Sequence, residues 1–251
     1  MRMWISLSAV VAMLLALPGL TLAEDFFSKT ELQIHAEFDR QAGAPTDSDI
    51  LTATLEHFSE WTYGDNYFFL DIEGEDDFEA EAGTLYFEYA PRLSMDRVFD
   101  KEIVPCSFLG ETYATVQYND SDQLFINQVW LYGVSFDFDF QPNYGFSNLT
   151  FMVRDEDTQD ISYQVTYVWG QPFQVAGLNM DFRGFADLWE DDEKSVFLTE
   201  PQLRLNMSSF FDENSPFSNV AIGTELELSH NLFGDDYGWE FNPTIFVAMT
   251  F

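Results

Sequence analysis

The stretch VSFDFDF alternates without exception. Val134, Phe136, Phe138 and Phe140 fall on one face of an extended chain, and Ser135, Asp137 and Asp139 fall on the other. A repeat of two is the period of a β-strand, whose successive side chains point to opposite faces. TELQIHAEF sets Leu32, Ile34, Ala36 and Phe38 against Glu31, Gln33, His35 and Glu37. ISYQVTYVW and PQLRLNM alternate in the same way, the second placing Leu203, Leu205 and Met207 opposite Gln202, Arg204 and Asn206. Beyond residue 23 no segment carries a helix period and no internal repeat divides the chain. A chain built this way must form sheet, and the sheet needs one apolar and one polar side.

Twelve strands are expected, near residues 30–38, 49–58, 66–74, 83–92, 111–118, 125–140, 148–155, 160–169, 173–185, 200–207, 220–229 and 239–251. An even number suits an antiparallel barrel, which closes without leaving an unpaired edge. The fold class expected is all-β, an antiparallel up-and-down transmembrane β-barrel of about 12 strands. A soluble sandwich also alternates, so the period alone leaves that alternative open.

Composition narrows the choice. Net charge is −34, with 44 acidic against 10 basic residues, and this argues against nucleic acid as a partner, since that requires a basic surface. Aromatic residues make up 18%, including 27 Phe, which excludes disorder. Acid and aromatics must therefore be segregated in space, and a wall with lipid outside and water inside does so. Cys106 is the only cysteine, so no intramolecular disulfide forms.

The opening segment places Arg2 before an apolar run from Trp4 to Leu17, then Pro18-Gly19, then small residues up to Ala23. This is the pattern of a signal peptide cut before Glu24, giving residues 1–23 as signal peptide and 24–251 as the barrel domain. No later stretch reaches the ~20 apolar residues of a helical span.

The connections are a second test. With a periplasmic amino terminus the odd-numbered connections are extracellular, and they hold most of the dense acidic runs, including EGEDDFEAEAG and LWEDDEKSVFLTE. The even ones include SEWTYGDN, QPNYGFS and WGQP, as expected of short periplasmic turns. SMDRVFDKEIVPCSFLG and SSFFDENSPFSN are long and depart from this pattern. In WEFNPTIFVAMTF, Trp239, Phe241, Ile245, Val247, Met249 and Phe251 share one parity, the outward face of a closing strand. A terminal Phe in this register resembles the signal by which outer-membrane barrels are recognised for assembly.

Motifs for catalysis are missing. His35, His57 and His230 are the only histidines, and no Ser–His–Asp grouping, G-x-S-x-G elbow, phosphate-cradling Gly loop or metal-ligand spacing accompanies them. No enzyme activity, cofactor or metal is expected. The acidic runs lack the spacing of an EF-hand and read as solvated outer loops ahead of Ca²⁺ or Mg²⁺ sites.

Two neighbouring stretches carry a more specific pattern: TATLEHFSEWTYGDNYFFLDIEG, then GTLYFEYAPRLSMD, in which Phe87-Glu88-Tyr89 leads into Pro91-Arg92-Leu93-Ser94-Met95-Asp96. Together with VWLYGVSFDFDF and YQVTYVWGQPF they resemble the nucleoside-specific channel-forming (Tsx-type) family of outer-membrane proteins. The resemblance implies a monomeric barrel of twelve strands in the outer membrane of a Gram-negative bacterium. It implies passive uptake of nucleosides and deoxynucleosides through a narrow lumen lined by aromatic and ionisable side chains. It also implies contact with outer-membrane lipid and lipopolysaccharide, and with the barrel assembly machinery through the strand ending at Phe251.

Charge decides which residues line such a lumen, because Arg or Lys on the lipid face costs about 2–4 kcal/mol at the midplane. On this rule Phe69, Asp71, Tyr86, Glu88, Arg92, Asp137, Asp139, Arg154, Arg183 and Arg204 point inward, with carboxylates expected opposite the arginines. Phe69 and Tyr86 are the stacking candidates; Asp71, Glu88 and Arg92 are the polar ones. Other readings remain open: a barrel enzyme, a general small-solute channel, and a structural or adhesive barrel acting through its acidic loops.

Overall fold

The computed structural model describes residues 27–40, 48–75, 84–122, 128–139, 145–157, 159–191, 194–232 and 238–251. The expected signal peptide, much of the acidic connections and part of QPNYGFS lie outside these residues. The described chain forms β1 (Ser28–Arg40), β2 (Ser48–Trp61), β3 (Gly64–Glu75), β4 (Leu85–Ser94), β5 (Leu109–Ser121), β6 (Val129–Phe138) and β7 (Phe146–Glu156). It continues with β8 (Ser162–Val175), β9 (Leu178–Asp191), β10 (Lys194–Thr199), β11 (Gln202–Asn206), β12 (Val220–His230) and β13 (Trp239–Thr250).

Every strand is antiparallel to its neighbours, and β13 returns to pair with β1 from Glu31↔Thr250 to Glu37↔Thr244. The sheet is thus a closed ring. β10 and β11 are two pieces of one stave: both pair with β9 and β12, and the register runs straight through from Thr199↔Ala186 to Gln202↔Arg183. The interruption falls at Glu200-Pro201, where proline has no N–H to give to the ladder. Twelve staves result, which accords with the expected count.

The wall is inside out compared with a water-soluble protein. Among the described residues, the buried side chains are mostly polar or charged, among them Glu31, Gln33, His35, Asp65, Gln164 and Arg204. Leu32, Ile34, Val134, Leu203 and Ile222 face outward and are exposed. The set read as the outer face of the last strand is exposed throughout, from Met249 at 39% to Phe251 at 67%. Outward aromatics gather towards the two rims: Tyr63, Phe99, Phe108 and Phe146 at one, Trp130, Tyr132, Tyr163 and Trp239 at the other. An apolar band between aromatic girdles is how a barrel meets a bilayer.

The rim that holds Ser28 and Thr250 is called the terminal end here, and the opposite rim the loop end. Two hairpins at the terminal end are tight, turning at Thr62-Tyr63 and at Ala176-Gly177. At Gly64 the strands approach so closely that a Cβ would lie 1.9 Å from the Arg92 carbonyl oxygen. The two long terminal-end connections are structured. One begins with the short helix α1 (Met95–Phe99), capped by Ser94, whose Oγ accepts from the Arg97 N–H at 3.1 Å. The other, between β11 and β12, contains 3₁₀ turns at Met207–Ser209 and Pro216–Asn219.

Three expectations need correction. WGQP is not a turn: it lies within β8, which runs to Val175. Its glycine is there for packing, since a Cβ on Gly170 would lie 2.2 Å from the Phe146 ring. LWEDDEKSVFLTE is not a long loop, because β9 extends to Asp191 and β10 starts at Lys194. The tenth stave consequently begins well before residue 200. β6 ends at Phe138.

Candidate lumenal site

The lumen is lined by the polar face of each strand, and its groups form three clusters. The first lies on β2, β3 and β4. Phe69 and Tyr86 face inward with ring centroids 5.7 Å apart, and Tyr67 adjoins Phe69 at 6.1 Å. Tyr67 donates to Glu56 at 3.1 Å, and the Thr54 hydroxyl donates to Asp71. Glu88 accepts from the Tyr86 hydroxyl, from Gln117 Nε2 at 2.8 Å and from Asn119 Nδ2 at 2.9 Å. These donors come from β4 and β5 and hold the carboxylate against the wall. Asp71 and, from the far wall on β9, Asp187 act on Glu88 electrostatically. Glu88 is paired across the strands with Phe69, and Asp71 with Tyr86, so a carboxylate flanks each ring.

Arg154 belongs to the same lumen nearer the loop end. It donates to Gln164 at 2.9 Å and Glu156 at 3.1 Å, and its guanidinium lies over the Trp189 ring at 5.2 Å.

The second cluster is built around Arg92. Its Nε and Nη2 donate to the two oxygens of Asp65 at 2.8 and 2.7 Å, the paired fork that guanidinium and carboxylate geometry favour. Nη1 donates to Asp137 at 2.9 Å, and the group stacks over Tyr113 at 4.1 Å. The third cluster is at the terminal end. Arg204 donates to Glu31 at 2.7 Å, and Arg183 donates to Asp181 at 2.9 Å.

All the sequence candidates on strands face inward, and each arginine meets the carboxylate expected of it. Asp139 does not join them. It follows the end of β6 and is exposed at the terminal rim, its N–H still bonded in register to the Phe108 carbonyl at 3.2 Å. Its carboxylate lies over Gly110, where a Cβ would come within 2.6 Å of it. Sequence reasoning did not single out Lys29, Glu31, Asp65 or Asp187 as site residues. All four lie on the polar parity of their strands, which was the one signal available. Among the described residues, no group of His, Cys, Asp and Glu has the geometry to hold a metal ion.

A family described as "Domain of unknown function (DUF5020)" matches residues 29–251. Among curated proteins, none matches the chain significantly. Of the solved structures, the KdgM porin superimposes with a TM-score of 0.50 at 7% identity, over 89% of this chain and 99% of that one. An outer membrane channel from Pseudomonas putida F1 gives a TM-score of 0.45 at 12% identity, over 93% of this chain and 99% of that one. Acinetobacter baumannii outer membrane protein Omp33 gives 0.40 at 11% identity, over 89% and 98%. At such identities the likeness to the KdgM porin is one of fold alone.

Proposed function

The chain belongs to the DUF5020 family, and we propose that it forms a narrow channel for small solutes in the outer membrane of a Gram-negative bacterium, with nucleosides and deoxynucleosides as the preferred class. The reading rests on one observation: the lumenal pair Phe69–Tyr86, 5.7 Å apart, beside the carboxylates of Asp71 and Glu88. A nucleoside is flat, neutral and rich in N–H and O–H donors. Aromatic faces stack on its base, and carboxylates accept from its amino and hydroxyl groups. The contacts are few, so the solute is held weakly and released again. The protein works as a monomer, its terminal end faces the periplasm, its apolar belt meets lipid and lipopolysaccharide, and the strand ending at Phe251 engages the assembly machinery. No chemical step is assigned to it.

The test is single-channel current across a planar bilayer, titrated with adenosine, thymidine and a sugar of similar size. Nucleosides block the current in a saturable way and the sugar does not. Phe69→Ala combined with Tyr86→Ala weakens the block roughly tenfold, as for the loss of 1–3 kcal/mol of base stacking. A current that nucleosides leave untouched refutes the solute class. That result would favour a second reading, a general cation-preferring channel. Its support is the pair of lumenal acids Asp71 and Glu88 on neighbouring strands, since carboxylates lining a pore favour cations.

A further inference from the structure

At the terminal end a cavity of about 220 Å³ lies between β1, β9, β11, β12, β13 and the connection that precedes β12. Its lining includes Lys29, Arg183 and Arg204 but only one carboxylate, Glu31. Three of the chain's 10 basic residues therefore meet in one cavity, in a protein of net charge −34. Asp181 stands behind the lining beside Arg183 and Arg204, and Glu56 faces Glu31 from β2, so carboxylates balance the three cations in charge but only Glu31 reaches the cavity.

Glu31 cannot satisfy all three cations. It accepts from Arg204 Nη1 at 2.7 Å, from Gln33 at 3.0 Å and from Thr250 at 3.0 Å. Lys29 Nζ and Arg183 Nη1 lie at 3.5 and 3.6 Å, near enough for charge but too far for hydrogen bonds of good geometry. Arg183 uses its Nε on Asp181 and gives no other hydrogen bond among the described residues. Arg204 is 2% exposed, and its Nε lies 3.7 Å from Asp181 without a hydrogen bond. A buried guanidinium with an idle N–H, flanked by two accessible cations with idle donors, is an arrangement short of acceptor. Ser208 and Ser218 line the same cavity from the connection above it, the Ser218 hydroxyl donating to the Ser215 carbonyl at 2.7 Å and that of Ser208 accepting from Asn179.

We propose that this cavity binds an oxyanion, a phosphate or carboxylate group, either as a free inorganic ion or carried by a small organic solute. The anion sits against Lys29 and Arg183, which face the open space, while Glu31 fixes Arg204 behind them. Guanidinium forks suit the planar or tetrahedral oxygens of such groups. The low dielectric of the site strengthens each contact. The acidic loop end repels anions, so the site is filled from the terminal end or by a solute whose charge is not purely negative.

The test is calorimetric titration of the folded protein in nonionic micelles with inorganic phosphate. It reads binding and not conduction, so its failure is distinct from failure of the channel reading. The expected result is saturable binding of one phosphate. Arg183→Gln and Lys29→Gln each weaken it about tenfold, the cost of one charge-assisted hydrogen bond. Lys101→Gln, on the exposed surface beyond α1, leaves it unchanged. Competition separates the sources: displacement by glycerol phosphate or acetate below the phosphate concentration assigns the site to an organic solute, and weaker displacement assigns it to the free ion. Lys29→Gln removes only a rim group, and heat-dependent gel migration verifies that it folds. The absence of saturable binding, or binding untouched in both variants, overturns the proposal.

Discussion

Arg92 and Arg204 both point into the barrel from strands that end at the same rim, and each lies by two carboxylates, yet those carboxylates are shared differently. Arg92 is one cation between two carboxylates: Asp65 takes two of its N–H groups and Asp137 a third. Arg204 shares its carboxylates: Glu31 also faces Lys29 and Arg183, and Asp181 bonds Arg183 at 2.9 Å. The Arg92 cluster closes on itself and is a lock between β3, β4 and β6. The Arg204 cluster has donors left over and space in front of them. A count of lumenal arginines would treat the two as equal; the number of cations that share each carboxylate separates structure from capacity.

Four substitutions, read as urea midpoints of the folded barrel in lipid vesicles, put this difference under strain. Glu31→Gln removes the sole carboxylate of the cavity lining and leaves Arg204 charged and buried, so it should be the most damaging, by about 3–5 kcal/mol. Arg92→Gln strands Asp65 and Asp137, but Asp137 reaches water at 33% exposure, so roughly 2–3 kcal/mol is expected. If Arg92→Gln proved the costlier, the view of Glu31 as the hub of its cluster would not survive. Arg183→Gln should cost only about 1 kcal/mol, since the residue is 27% exposed and makes one hydrogen bond. A loss as large as that of Arg92→Gln would mean that Arg183 is structural and not a spare donor. Arg97→Gln, which breaks an ion pair with Glu111 at the rim, should fall below about 1 kcal/mol, because Arg97 is 39% exposed.

The wall was legible because each strand had to satisfy lipid and water at once, and that demand writes itself into every second residue. Tyr86, Glu88 and Arg92 could be placed inside from β4 alone, and all three lie there. Punctuation was less informative. Gly170 and Pro172 look like a turn, yet β8 passes through both, and Pro201 interrupts a stave without shifting its register. In these positions glycine makes room for a ring and proline omits one ladder bond, uses that a local pattern cannot distinguish from a bend. The cavity was hidden for a different reason. Lys29, Arg183 and Arg204 come from three strands, and its cover comes from a connection that looked only like an overlong turn. Asp139 followed the alternation on paper, but the strand stops one residue before it.

The ring is closed by β1 meeting β13, and this has a consequence for timing. In an open sheet β1 would lie at one edge while β9 and β11 lie near the other, so Glu31 meets Arg204, 173 residues away, only when the last ladder forms. The energy of that pair is absent from every earlier step. It acts as a latch: its loss should leave the rate of insertion almost unchanged and appear as faster opening of the finished cylinder, the behaviour of contacts made after the transition state.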